Sequence, residues 1–77
     1  SEQKRIEFYE RHIGTVQEVL FEKAPRGKAM HGFTRNYIRV ELSAREAREE
    51  YDNCLIKVRL GEFNHDKSAL RAQLIVV

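Results

Sequence analysis

Three observations predict a mainly β fold for this chain. The apolar period switches from helical to two after Gly14, turn signals recur at short intervals beyond it, and a glycine interrupts one of the strand-like runs. Together they describe a small five-stranded antiparallel barrel of the OB-like kind, preceded by a short N-terminal α-helix. At 77 residues the chain is one domain, and a domain near this size buries only about 60% of the surface that its unfolded form exposes. Its core must be economical, and an enclosed active-site cavity is not expected. The composition, 42% hydrophobic and 34% charged, is that of a folded domain rather than a disordered tail.

Each element has its own warrant. Glu2 to His12 holds good helix formers, with Ile6, Tyr9 and Ile13 on one face, and Gly14 stands where helices commonly end in the left-handed conformation. The stripe of this amphipathic helix needs a cover, either the rest of the domain or a neighbouring one. Thr15 to Glu22, rich in Val, Leu and Phe, is the first strand, and "APRGK" (Ala24 to Lys28) is the turn that follows. Ala29 to Thr34 is the second strand, in which Gly32 suggests a bulge or sharp bend. A tight corner near Arg35 and Asn36 leads into the third strand, Asn36 to Leu42. "SARE" (Ser43 to Glu46) fits a capping box opening a short helical turn through Glu50. Cys54 to Gly61 is the fourth strand, with Ile56, Val58 and Leu60 inward. "NHDK" (Asn64 to Lys67) turns the chain into the fifth, Ala69 to Val76, with Leu70, Ala72 and Leu74 on one face.

Composition and spacing exclude several kinds of chemistry. Cys54 stands alone, so no intrachain disulfide and no cysteine-built zinc or iron-sulfur site is available; a reducing, cytoplasmic setting fits, and an inert buried thiol is the expected role. His12, His31 and His65 lack metal-ligand spacing, and the four glycines are too scattered for a phosphate loop. Glu46, Glu49 and Glu50 read as a solvated face. No apolar run approaches the ~20 residues of a transmembrane helix. Catalysis within the chain is not expected, and the opening on a polar helix at Ser1 suggests a piece of a longer protein.

Charge is more telling in its placement than in its sum of +2. Between Lys23 and Val40 lie five bases and no acid, whereas Glu41 to Asp52 holds five acids against two arginines. If Ile38, Val40 and Leu42 face inward, Arg35, Tyr37 and Arg39 turn outward together, and Lys57 and Arg59 do so from another strand. Charged and aromatic residues on a solvent face are individually ordinary. Jointly they alternate phosphate-pairing and base-stacking groups on a rigid sheet, which suits RNA. Phe33 fits either the core or a stacking platform.

"VLFEK" (Val19 to Lys23), "HGFTRNYIRVEL" (His31 to Leu42) and "IKVRLGEF" (Ile56 to Phe63) together resemble the TRAM domain that ends radical-SAM methylthiotransferases. The form at Gly32 to Val40 is most similar to the branch that methylthiolates threonylcarbamoyladenosine beside the tRNA anticodon, and "FYERHIG" (Phe8 to Gly14) is similar to the linker helix of such enzymes. The resemblance implies a linker helix over 1–14 and an RNA-binding barrel over 15–77, a monomeric appendage of an enzyme whose 4Fe-4S clusters and S-adenosylmethionine lie upstream. It implies tRNA, held near its anticodon, and the chain's own radical-SAM domain as partners. Its motif falls on Gly32, Thr34, Asn36, Tyr37 and Val40, with Tyr37 the foremost RNA contact. The contrasting expectation is a protein-interaction barrel that docks on its catalytic domain or a ribosomal protein through Ile6, Tyr9 and Ile13.

Overall fold

The computed structural model describes residues 2–75. One helix, α1 (Glu2–Glu10), precedes five strands: β1 (Val16–Phe21), β2 (Met30–Thr34), β3 (Arg39–Leu42), β4 (Leu55–Phe63) and β5 (Leu70–Leu74). The strands close into a barrel in the order β1-β2-β3-β5-β4, with β4 returning to β1. Val76, placed in the fifth strand by the sequence pattern, lies outside the described residues.

The barrel is OB-like, but it is not wholly antiparallel. β3 and β5 run parallel, with Val40 opposite Leu70 and Glu41 opposite Arg71. Strand parity requires this: directions cannot alternate all the way around a closed ring of five strands, so one neighbouring pair must agree.

Alternation along the strands builds the core. Val19 and Phe21, Met30, Val40 and Leu42, Val58 and Leu60, and Leu70 all point inward and are buried, joined by Ile38 from the preceding turn. Ile56, expected inward, is only half-buried and packs against this cluster. The bulge expected at Gly32 is absent; the β2–β3 register runs unbroken from Met30 opposite Leu42 to Phe33 opposite Arg39. Gly32 is required for close approach instead, because a Cβ there would overlap the Leu20 carbonyl oxygen and lie 2.8 Å from Val19 Cγ1. The irregularity occurs in β4, where the pairing with β5 shifts between Leu60 and Phe63.

α1 is shorter than the pattern to His12 suggests, and it is not a free linker. After Glu10 the chain tightens into turns that end at Gly14, whose positive φ of 87° allows its N–H to donate to the Leu60 carbonyl at 2.6 Å. Tyr9 is 6% exposed. Its ring stacks on Phe63 at 6.0 Å, the Arg5 guanidinium lies 5.3 Å from the ring centroid, and its hydroxyl accepts the Arg39 N–H at 3.1 Å. Arg5 also donates to the Lys67 carbonyl. Of the expected stripe, Tyr9 is therefore committed to the barrel, Ile6 is half-buried and Ile13 remains exposed.

The Ser43 to Asn53 connection forms turns and one 3-10 turn, Glu49–Tyr51, rather than a capped helix. Ser43 Oγ bonds the Glu46 carboxylate, so the two side chains satisfy each other instead of the free amides. Cys54, expected buried, is half-buried, and its thiol donates to the Glu50 and Asp52 carbonyls.

Candidate nucleic-acid interface

The β2–β3 hairpin owes its shape to Thr34. This side chain is buried, and its Oγ1 accepts the N–H groups of Asn36 at 3.2 Å and Ile38 at 3.1 Å, while its carbonyl accepts the Tyr37 N–H. With those amides taken, the corner lengthens through Arg35, Asn36 and Tyr37, and β3 starts at Arg39 instead of Asn36. Tyr37 is consequently not part of a strand alternation. It holds a left-handed backbone, φ 64°, and the residue is 82% exposed. For a non-glycine residue that conformation costs about 1 kcal/mol or more.

Phe33 resolves to the outside, because its neighbours Gly32 and Thr34 face inward. It stands in a cross-strand row with Arg39 on β3, Leu20 on β1 and Leu55 on β4, since Phe33 pairs with both Arg39 and Leu20, and Leu20 pairs with Leu55. Directly opposed side chains in antiparallel pairs lie about 5 Å apart at Cβ, so the row is continuous. Phe33, Leu20 and Leu55 are 42%, 51% and 65% exposed, an unusual apolar stripe on a small barrel.

This stripe floors an open groove of about 550 Å3 with Arg35 and Tyr37 at one margin. Glu18 and Glu22, on either side of Leu20 along the chain, also line it. The expected row of phosphate-pairing and base-stacking groups is thus joined by acidic side chains, because residues alternating with Val19 and Phe21 on β1 point outward beside β2. Among the described residues, neither carboxylate has a hydrogen bond or ion pair.

The six residues singled out by the sequence therefore separate into groups. Phe33, Arg35 and Tyr37 converge on the groove, Arg39 adjoins it through its pairing with Phe33, and Lys57 stands opposite Glu18. Arg59 is set apart: it pairs with Val16 and Gln73, and faces a second groove of about 860 Å3. There it joins Arg45 and Arg71, but Glu41, Glu46 and Glu62 share the lining, so the three guanidinium groups are matched by three carboxylates. Leu20, Leu55, Glu18 and Glu22 went unnoticed in the sequence, although the inward set Val19, Phe21, Val58 and Leu60 implies that all four face outward.

Elsewhere, His31 Nε2 lies 3.0 Å from Glu41 Oε1, which also receives a long contact from Asn64. Among the described residues no group of three or more His, Cys, Asp or Glu side chains is placed to hold a metal ion, and no helix is long and apolar enough to cross a membrane. Comparison with known proteins finds no matching family model, curated protein or solved structure.

Proposed function

We propose that this chain is an RNA-binding module, a TRAM-like barrel that holds tRNA near the anticodon for a cytoplasmic radical-SAM methylthiotransferase. The observation that carries the reading is Tyr37, a residue 82% exposed on a left-handed backbone, beside Phe33 and Arg35 in one groove. Thr34 holds the backbone of this turn, but the exposed ring adds little to folding, whereas a base stacked on it would use it. Base-aromatic stacking supplies roughly 1 to 3 kcal/mol per base. Arg35, with Arg39 and Lys57 at the margins, pairs with phosphates and fixes the strand's register.

In this reading the barrel raises the local concentration of the anticodon loop at a catalytic domain elsewhere in the protein. The 4Fe-4S clusters belong to that domain in this reading, since the single cysteine of this chain cannot hold a cluster by itself. The resemblance of the "GFTRNYIRV" segment supports the methylthiotransferase assignment, and a radical-SAM cysteine triad in the parent protein is its test. The RNA assignment is tested by titrating the 77-residue chain with a tRNA anticodon stem-loop while following amide shifts. Perturbations at Phe33 to Arg39 that weaken with added salt are expected. Shifts confined to α1, or none, overturn it in favour of protein docking.

A further inference from the structure

The two carboxylates are out of place in a groove that only holds phosphates, and their chemistry suggests a different task. This inference rests on the RNA reading above. The Glu18 and Glu22 carboxylates offer acceptor oxygens to the groove, and among the described residues neither has a hydrogen-bond or ion-pair partner. They stand two residues before and after Leu20, about 7 Å to either side along an extended chain. An apolar floor of Leu20 and Leu55, aromatic faces at Phe33 and Tyr37, and acceptor groups at the sides match a flat heterocycle whose edge carries N–H groups.

We infer that the groove takes one unstacked guanine from single-stranded RNA, with the two oxygens of one carboxylate, Glu18 or Glu22, supplying the acceptors that read its Watson–Crick edge. Guanine presents two adjacent donors there, N1–H and the N2 amino group, in the spacing of a carboxylate's two oxygens. Adenine and cytosine each place an amino group next to a ring nitrogen lone pair, which repels the second oxygen. Uracil offers one N–H between two carbonyl oxygens and fits worst. Single-stranded RNA is commonly read in this way, by stacking combined with hydrogen bonds to the exposed base edge. Arg35 and Tyr37 set where the strand lies, and that carboxylate sets which base enters.

The test uses labelled uridine hexamers carrying one central G, A, C, U or inosine, titrated against the whole chain by fluorescence anisotropy. The G oligomer should bind about tenfold or more tighter than the U oligomer, the range of a good bidentate contact, with inosine, which lacks the N2 amino group, in between. One of the two variants, Glu18→Gln or Glu22→Gln, should erase the preference for G while leaving the U oligomer bound as well or better, because a negative charge near phosphate has been removed. Both positions are exposed, and an unchanged amide spectrum verifies folding of the variants. Equal binding of all five oligomers, weakened throughout by Tyr37→Ala, overturns the guanine assignment and leaves the RNA reading intact. A preference for another base, or one that survives both glutamine variants, overturns the assignment too. Failure of every oligomer to bind at low salt removes both.

Discussion

The contact between α1 and the barrel and the groove beside the β2–β3 hairpin each hold a tyrosine and an arginine, with contrary outcomes. Tyr9 stacks on Phe63, accepts the Arg39 N–H through its hydroxyl and lies under the Arg5 guanidinium. Tyr37 projects into solvent from a left-handed turn, with Arg35 beside it in the groove. The first tyrosine uses both its ring and its hydroxyl oxygen within the fold. The second leaves its ring unused, and the difference separates what the barrel needs to stand from what it can offer a ligand.

Four experiments would break or sharpen that contrast. Tyr9→Ala removes a packed aromatic and should cost about 3 kcal/mol or more, whereas Tyr37→Ala should shift denaturant stability by no more than ~0.5 kcal/mol. Equal losses from the two would end the distinction. In RNA titrations the ranking reverses: Tyr37→Ala should lose about 1 to 3 kcal/mol of binding, while Tyr9→Phe, which retains the ring and strands the Arg39 amide, should lose about 1 kcal/mol of folding stability with RNA affinity unchanged. Phosphate contacts by Arg35, Arg39 and Lys57 predict a slope of log affinity against log salt near −2, falling by about 0.7 for Arg35→Ala. Arg59→Ala should leave the slope unaltered because that side chain faces the other groove, and an equal decrease would merge the two surfaces.

The smallest effect concerns acid. The Arg5 guanidinium, hydrogen-bonded to Glu2, holds that carboxyl below its ordinary 4.5, and the Ser68 hydroxyl and N–H hold Asp66 below its ordinary 3.8. A depressed carboxyl contributes stability above its unfolded pKa and forfeits it as pH falls through the folded value. The loss should thus begin below about pH 4.5 and deepen toward lower pH. Both groups are exposed, so the change is slight. Amide shifts over this range should centre on the start of α1 and the β4–β5 turn; shifts centred on the hairpin would contradict the division between the two regions.

Much of this architecture was legible where a residue's neighbours decide its fate. The alternation of Val40 and Leu42 and of Val58 and Leu60 placed the inward faces of β3 and β4, and "PRG" placed a turn between β1 and β2. Tyr37 faces outward as expected but from a turn rather than a strand, because its conformation is imposed by the Thr34 hydroxyl claiming two downstream amides, and a tyrosine advertises no preference for positive φ. The parallel β3–β5 pair could not be inferred from local pattern, since it depends on which distant strand completes the ring. The groove was half visible. Its basic and aromatic members drew notice as a row, while Leu20, Leu55, Glu18 and Glu22 were not singled out, although the period of their own strands sends them to the same face.

Closing the ring also governs how quickly the molecule can reach this shape. β1 bonds β2 on one side and β4 on the other, so Val16 must find Arg59 from roughly 40 residues away. The entropy of that search is spent before the seam returns any contact energy, whereas β2 and β3 join across a few residues. Refolding on the millisecond-to-second scale of non-local β topologies is the kinetic signature of such a seam.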